Sequence, residues 1–207
     1  MTDEDDAAEM SLEDLALWSG ALTLAEIGEL TAQWLEGRIA SVPTVVPGVG
    51  PDQETGPLIP VLAACNRAGF VTTVSQPGEA PILGYDGQMW TQRAAVEGFA
   101  TTATLEALRV CTTGTPLLLM ASPAGSTERN WDSRIPVTMD GDQENTWFGV
   151  TLSRSDIEEE QAGYGICHPQ AVEAICAAWQ IVLVDPEWGR NDVLWPALEA
   201  FVASAPA

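Results

Sequence analysis

The chain has 207 residues, and its eight basic residues, all arginine, stand against thirty Asp and Glu for a net charge of −22. With 46 % apolar and 18 % charged residues, it is too hydrophobic for a disordered acidic polymer and long enough for one substantial core. Its negative field repels phosphate, which excludes a nucleic-acid backbone as the natural partner and disfavours an anionic membrane surface, and no apolar run approaches the length of a spanning helix.

Residues 1–11 read as a mobile acidic tail: Asp3, Glu4, Asp5, Asp6 and Glu9 carry five negative charges and no positive one. Such a start is the opposite of a basic signal-peptide start, so the expected compartment is the cytoplasm. Residues 12–207 read as a single domain. A helix is expected over 23–38. Thr23 followed by Glu26 fits a capping box, Leu24, Ile27, Leu30, Trp34 and Leu35 recur at helical spacing, and Gly37 is a natural stop. The Pro- and Gly-rich stretch 41–53 reads as a loop. A second helix is expected over 57–68, with Pro57 tolerated in its first turn and Gly69 as its cap.

Phe70 to Val74 then reads as a strand, and Ser75-Gln76-Pro77-Gly78 as a turn. A single strand is expected from Met89 to Phe99, a helix over 101–109 and a buried strand over 116–121. Residues 122–145 are rich in Gly, Ser, Asn and Asp and yield no assignment. A strand over 146–152, a helix over 169–179, an apolar strand from Ile181 to Val184 and a closing helix over 192–203 complete the chain. This alternation predicts an α/β or α+β domain.

Among chemistry-bearing motifs, most are missing. No phosphate-cradling loop, Gly-rich dinucleotide turn or nucleophile elbow occurs. The four cysteines, Cys65, Cys111, Cys167 and Cys176, form no C-x-x-C pair, and His168 is the single histidine. A zinc site draws on several such ligands at close spacing, so no metal is predicted. Cys167 and His168 are adjacent in sequence, which directs their side chains apart and favours structural roles over a catalytic pair. Glu158-Glu159-Glu160 reads as a solvated helix face. Of the eight tryptophans, Trp34 and Trp179 fall on apolar faces and are expected in the core. Trp90, Trp147 and Trp188 lie near turns or strand ends, where a platform for a planar ligand is the minority reading.

One segment goes further. Residues 54–77 run E-T-G-P-L-I-P-V-L-A-A-C-N-R-A-G-F-V-T-T-V-S-Q-P. The pattern of E-T, an amphipathic helix, N-R-x-G, an apolar pair and T-x-x-S-Q-P resembles the C-terminal regulatory domain of eukaryotic methylenetetrahydrofolate reductase. The likeness continues through Trp90-Thr91-Gln92-Arg93-Ala94-Ala95-Val96-Glu97-Gly98-Phe99. It returns more thinly at Thr146-Trp147, Leu183-Val184-Asp185 and Leu194-Trp195. It covers about 54–110, is thin over 146–203 and fades across 112–145.

The resemblance implies mixed β-sheets flanked by helices and a free-standing regulatory or sensor module without the reductase's catalytic barrel. Its implied ligand is S-adenosylmethionine or S-adenosylhomocysteine, and the family's dimer makes a homodimer or protein partner a further expectation. The family's ligand-contacting positions fall on Glu54, Thr55, Thr72, Ser75 and Thr146. A carboxylate can accept from a diol or an ammonium, and hydroxyls can donate or accept in a closed pocket. The plain structural alternative is that Thr55 and Ser75 cap turns, Thr72 fills a strand and Glu54 is a surface charge. Two other functions compete: an acidic interaction protein that mimics nucleic acid or binds a basic partner, and a small enzyme acting on an adenosyl ligand.

Overall fold

A computed structural model describes residues 9–84, 87–163 and 165–205. Most of the acidic lead-in, residues 1–8, lies outside the described residues. Met10 packs against a core cluster, and Ser11 accepts a bond from Asp14 N at 3.0 Å to cap helix α1, Leu12–Gly20. Apolar periodicity gives no sign of this helix because only Asp14 and Trp18 on it are buried; two positions make no periodic stripe.

Helix α2, Leu24–Leu35, begins with the expected capping box. Thr23 Oγ1 accepts from Glu26 N at 3.2 Å, and Glu26 Oε2 accepts from Thr23 N at 2.9 Å. The bond that the carboxylate accepts from Leu22 N, first, with those from Thr23 Oγ1 and Thr23 N, holds the Glu26 carboxyl below its ordinary range. The expected helix over 57–68 divides in two. A short 3-10 helix, Gln53–Leu58, contains Pro57, and α3, Ile59–Arg67, follows directly. Gly69 ends it at φ +90°, a backbone conformation that favours glycine.

Two four-stranded antiparallel sheets form the α+β domain. The first has the order β1 (Phe70–Gln76), β4 (Ala95–Ala100), β8 (Trp179–Val184) and β5 (Leu118–Pro123). The second has the order β2 (Glu79–Leu83), β3 (Met89–Gln92), β6 (Ile135–Asp140) and β7 (Gln143–Phe148). The remaining helices are α4 (Thr102–Thr112), the single turn α5 (Arg154–Asp156) continued by a π-helical turn Ile157–Gln161, α6 (Pro169–Cys176) and α7 (Leu194–Ser204).

Several expectations are corrected. Ser75 and Gln76 belong to β1, and the turn narrows to Pro77-Gly78. The single strand expected over 89–99 is two strands in different sheets. At the break, Arg93 N donates to Val137 O of the second sheet and Ala94 O accepts from Asp185 N beside the first. Successive peptides thus pair in different directions, and the chain turns a corner between sheets. Strand β5 is an edge, not a buried strand; its Leu118 is 42 % exposed. The unassigned stretch 122–145 contains β6, whose Val137 is fully buried. Trp179 starts a strand instead of ending a helix, and its indole N–H donates to Thr102 Oγ1 at 3.0 Å.

The main sheet separates the cores. On one face Phe70, Val96, Ile181 and Leu183 meet Leu62, Leu105, Leu198 and Phe201 from α3, α4 and α7. On the other, Val71 and Phe99 pack with Trp18, Ile27 and Ile175 from α1, α2 and α6, while Ala95, Val182 and Val184 pack with Val137 and Phe148 of the second sheet. Each fully buried large apolar side chain contributes about 1.5–3 kcal/mol relative to exposure.

Strand β1 is an edge of its sheet, and what lies outside it defines the site. Its register with β4 shifts between Thr72 and Val74, leaving Thr73 as the extra residue of a β-bulge. Opposite the bulge stands Gly98. A Cβ there would drive into the Val71 carbonyl oxygen and lie 2.8 Å from Thr72 Cα. Glycine therefore lets β4 approach the distorted part of β1.

Candidate functional site

A cleft of about 220 Å³ opens along the outer side of β1. Thr31, Trp34 and Leu35 of α2 form one wall. Val45, Pro51 and Asp52 of the loop after α2 form another, and Thr55, Leu62 and the run Thr72 to Ser75 complete it. A tighter lobe of about 70 Å³ continues inward to Trp18, Ile27, Phe99 and Cys167. Thr31, Trp34, Val45, Thr72 and Thr73 line both.

Three of the five sequence-predicted residues, Thr55, Thr72 and Ser75, come together here. They reach it from different elements: Thr55 from the 3-10 helix, Thr72 and Ser75 from either side of the bulge. Thr72 is fixed by buried Asn66, whose Nδ2 donates to Thr72 Oγ1 at 2.7 Å while its Oδ1 accepts from Thr72 N at 3.0 Å. Because Thr72 Oγ1 accepts from Asn66, its hydrogen is left to donate. Neither Thr55 Oγ1 nor Ser75 Oγ hydrogen-bonds within the described residues. Thr31 Oγ1 donates back to Ile27 O at 2.9 Å, and Thr73 Oγ1 donates to Glu97 O at 3.3 Å.

The other two lie elsewhere. Glu54 is exposed, does not line the cleft and accepts a long bond, 3.4 Å, from Gln92 Nε2. Thr146 is exposed on β7 of the second sheet, opposite Thr138.

Sequence reasoning missed Asn66, Trp34, Thr31 and Asp52 as parts of this site. Asn66 sits inside the N-R-x-G pattern, which was a usable signal. Trp34 looked like core because it shares the apolar stripe of α2, but it is only half-buried and its Nε1 reaches Val49 O at 3.3 Å.

Other candidate groups have structural occupations. His168 caps α6, with Nδ1 accepting from Gln170 N at 3.1 Å. Burial pushes the Cys167 thiol up to about 11 and that of Cys65 to about 12, away from a reactive thiolate. Glu158 pairs with Arg154 at 3.0 Å and Glu160 pairs with Arg129. Arg154 also pairs with Glu173, so the one arginine on the rim of the larger hollow of about 410 Å³ beside α6 is already shared between two of its glutamates. Trp188 is stacked by the Arg93 guanidinium, 4.0 Å from its ring centroid. The Arg134 guanidinium lies 5.9 Å from the ring centroid of Trp147, whose Nε1 bonds Glu144 at 2.8 Å. Among the described residues no cluster of three or more His, Cys, Asp or Glu is arranged to hold a metal ion, and no helix is long and apolar enough to cross a membrane.

No curated protein matches the chain. One family model, described as domain of unknown function (DUF6919), matches residues 13–205, and the protein belongs to that family.

Proposed function

We propose that the protein is a free-standing regulatory or sensor module that binds S-adenosylmethionine or S-adenosylhomocysteine in the cleft along β1, without catalysing a reaction on it. The observation that carries this reading is the convergence of Thr55 from the 3-10 helix with Thr72 and Ser75 of β1 on one concave surface. Two of them offer uncommitted hydroxyls, Thr72 retains a donor, and Trp34 adds an indole wall. Among the described residues no arginine lines either lobe, so the surface suits an adenosyl group bearing a ribose diol and an amino acid tail better than a nucleotide phosphate. The main lobe is below the roughly 300–1,000 Å³ of pockets for drug-sized ligands. A ligand of adenosyl size therefore occupies the lobe and its mouth. A ligand that binds one state of a two-state element more tightly than the other converts occupancy into a signal through differential affinity.

Thermal unfolding with each ligand tests the proposal. A ligand held only by the folded state adds about 2.7 kcal/mol at a hundredfold excess over Kd. For a domain of this size that raises Tm by roughly 5–10 °C. No shift and no calorimetric heat with either ligand rejects the reading. An unchanged ligand after prolonged incubation separates a sensor from an enzyme.

A further inference from the structure

Building on the adenosyl-ligand reading, we propose that the cleft selects the cationic sulfonium over the neutral thioether, with Asp52 as the specificity-determining charge and Trp34 as the aromatic wall. Asp52 is the one charged side chain among the described residues lining the two lobes. It stands at the N-cap position of the 3-10 helix, where an aspartate ordinarily accepts from a backbone N–H two or three residues on. Here its side chain makes no cap bond, and among the described residues it forms no ion pair. Its carboxylate is thus uncommitted beside the cleft. The half-buried Trp34 lines the same lobe, and an indole face attracts cations through its quadrupole.

A carboxylate and an indole with no opposing arginine form a surface for positive charge. The net charge of −22 adds a long-range attraction of the same sign. S-adenosylmethionine and S-adenosylhomocysteine differ by one methyl group and one positive charge, and the salt dependence together with removal of the Asp52 charge separates the electrostatic contribution from that of the methyl. For an exposed carboxylate and a half-exposed ring the expected preference is roughly three- to tenfold, decreasing as salt rises.

Calorimetry on the full chain, with S-adenosylmethionine, S-adenosylhomocysteine and adenosine at low and high salt, tests this. Asp52→Asn keeps the side-chain volume while removing the charge. The expected result is tighter binding of the sulfonium by the unaltered protein, and loss of that preference in Asp52→Asn, whose affinity for S-adenosylmethionine falls more than its affinity for S-adenosylhomocysteine or adenosine. Equal binding of sulfonium and thioether by the unaltered protein, or a preference that survives in Asp52→Asn, overturns the proposal and leaves the adenosyl-binding reading standing. Absence of binding by all three ligands overturns both.

Discussion

Asn66 and Thr72 hold each other by two hydrogen bonds, from Asn66 Nδ2 to Thr72 Oγ1 at 2.7 Å and from Thr72 N to Asn66 Oδ1 at 3.0 Å. The pair replaces the missing neighbour strand at the edge of the main sheet. Asn66 Nδ2 also donates to Leu62 O at 2.9 Å, so one fully buried amide ties the last turn of α3 to the start of the bulge in β1. The residues on either side of that bulge line the cleft. A side chain with no solvent contact therefore fixes the geometry of the proposed binding surface.

Asn66→Ala is expected to destabilise the protein by about 2–3 kcal/mol, because it leaves the Thr72 N–H buried without an acceptor and removes the amide's other bonds. Urea unfolding should show a lower midpoint with an unchanged slope. An unchanged midpoint would mean that the edge is satisfied in another way.

Gly98→Ala is expected to be at least as damaging. The added methyl meets the backbone of Val71 and Thr72, which has no rotamer through which to escape. Overpacking of this kind costs about 1–3 kcal/mol or more. The strain falls on the bulge, so any ligand affinity of the cleft should decline together with Tm. Parallel thermal unfolding and calorimetry would show whether the two effects coincide.

The pH dependence of stability should contain two opposed contributions. Burial raises the Glu97 carboxyl above its ordinary value, despite the bond it accepts from Gly149 N at 2.8 Å. Between the unfolded value, near 4.5, and the higher folded value, the native state binds more protons. This contribution is thus fully present below 4.5 and is lost as pH rises through the folded value. Asp156 behaves in the opposite sense. The Arg129 bond, first, and Ser153 lower it from 3.8 to about 2. Its contribution is present above 3.8 and disappears as pH falls towards 2. Glu97→Gln should therefore gain stability relative to the unaltered protein at neutral pH, with the gap closing below 4.5. Asp156→Asn should lose stability at neutral pH and converge with the unaltered protein in strong acid. Denaturant unfolding across the pH range reads both, and a pH-independent gap in either variant would contradict the assignment.

What was legible in the sequence follows the strength of local rules. The capping box at Thr23 and Glu26 and the terminating Gly69 depend on neighbouring residues, and they occur as read. The strand break at Arg93-Ala94 was hidden because it depends on Val137 and Asp185, distant residues that capture successive peptides. Helix α1 was hidden because its buried face is only Asp14 and Trp18. In the site, the hydroxyl positions around the bulge could be read from a contiguous motif. Trp34 and Asp52 could not, since an apolar stripe does not distinguish a core wall from a cleft wall, and a loop carboxylate has no orientation before folding.

The separation between cleft and non-cleft residues gives the most local test of the proposed function. Ser75→Ala removes a hydroxyl that lines the cleft and has no partner among the described residues, so it should weaken adenosyl-ligand binding by roughly two- to tenfold, the loss of one net hydrogen bond. Thr146→Ala alters an exposed position on the second sheet and should leave affinity unchanged. Glu54→Ala should have a smaller effect than Ser75→Ala, since the Glu54 side chain meets Gln92 and does not line the cleft. All three positions are accessible enough that folding should persist, which unchanged Tm values would verify. Calorimetric titration of the three variants side by side therefore distinguishes a ligand seated against β1 from one that reaches the second sheet: in the latter case Thr146→Ala weakens binding and Ser75→Ala does not.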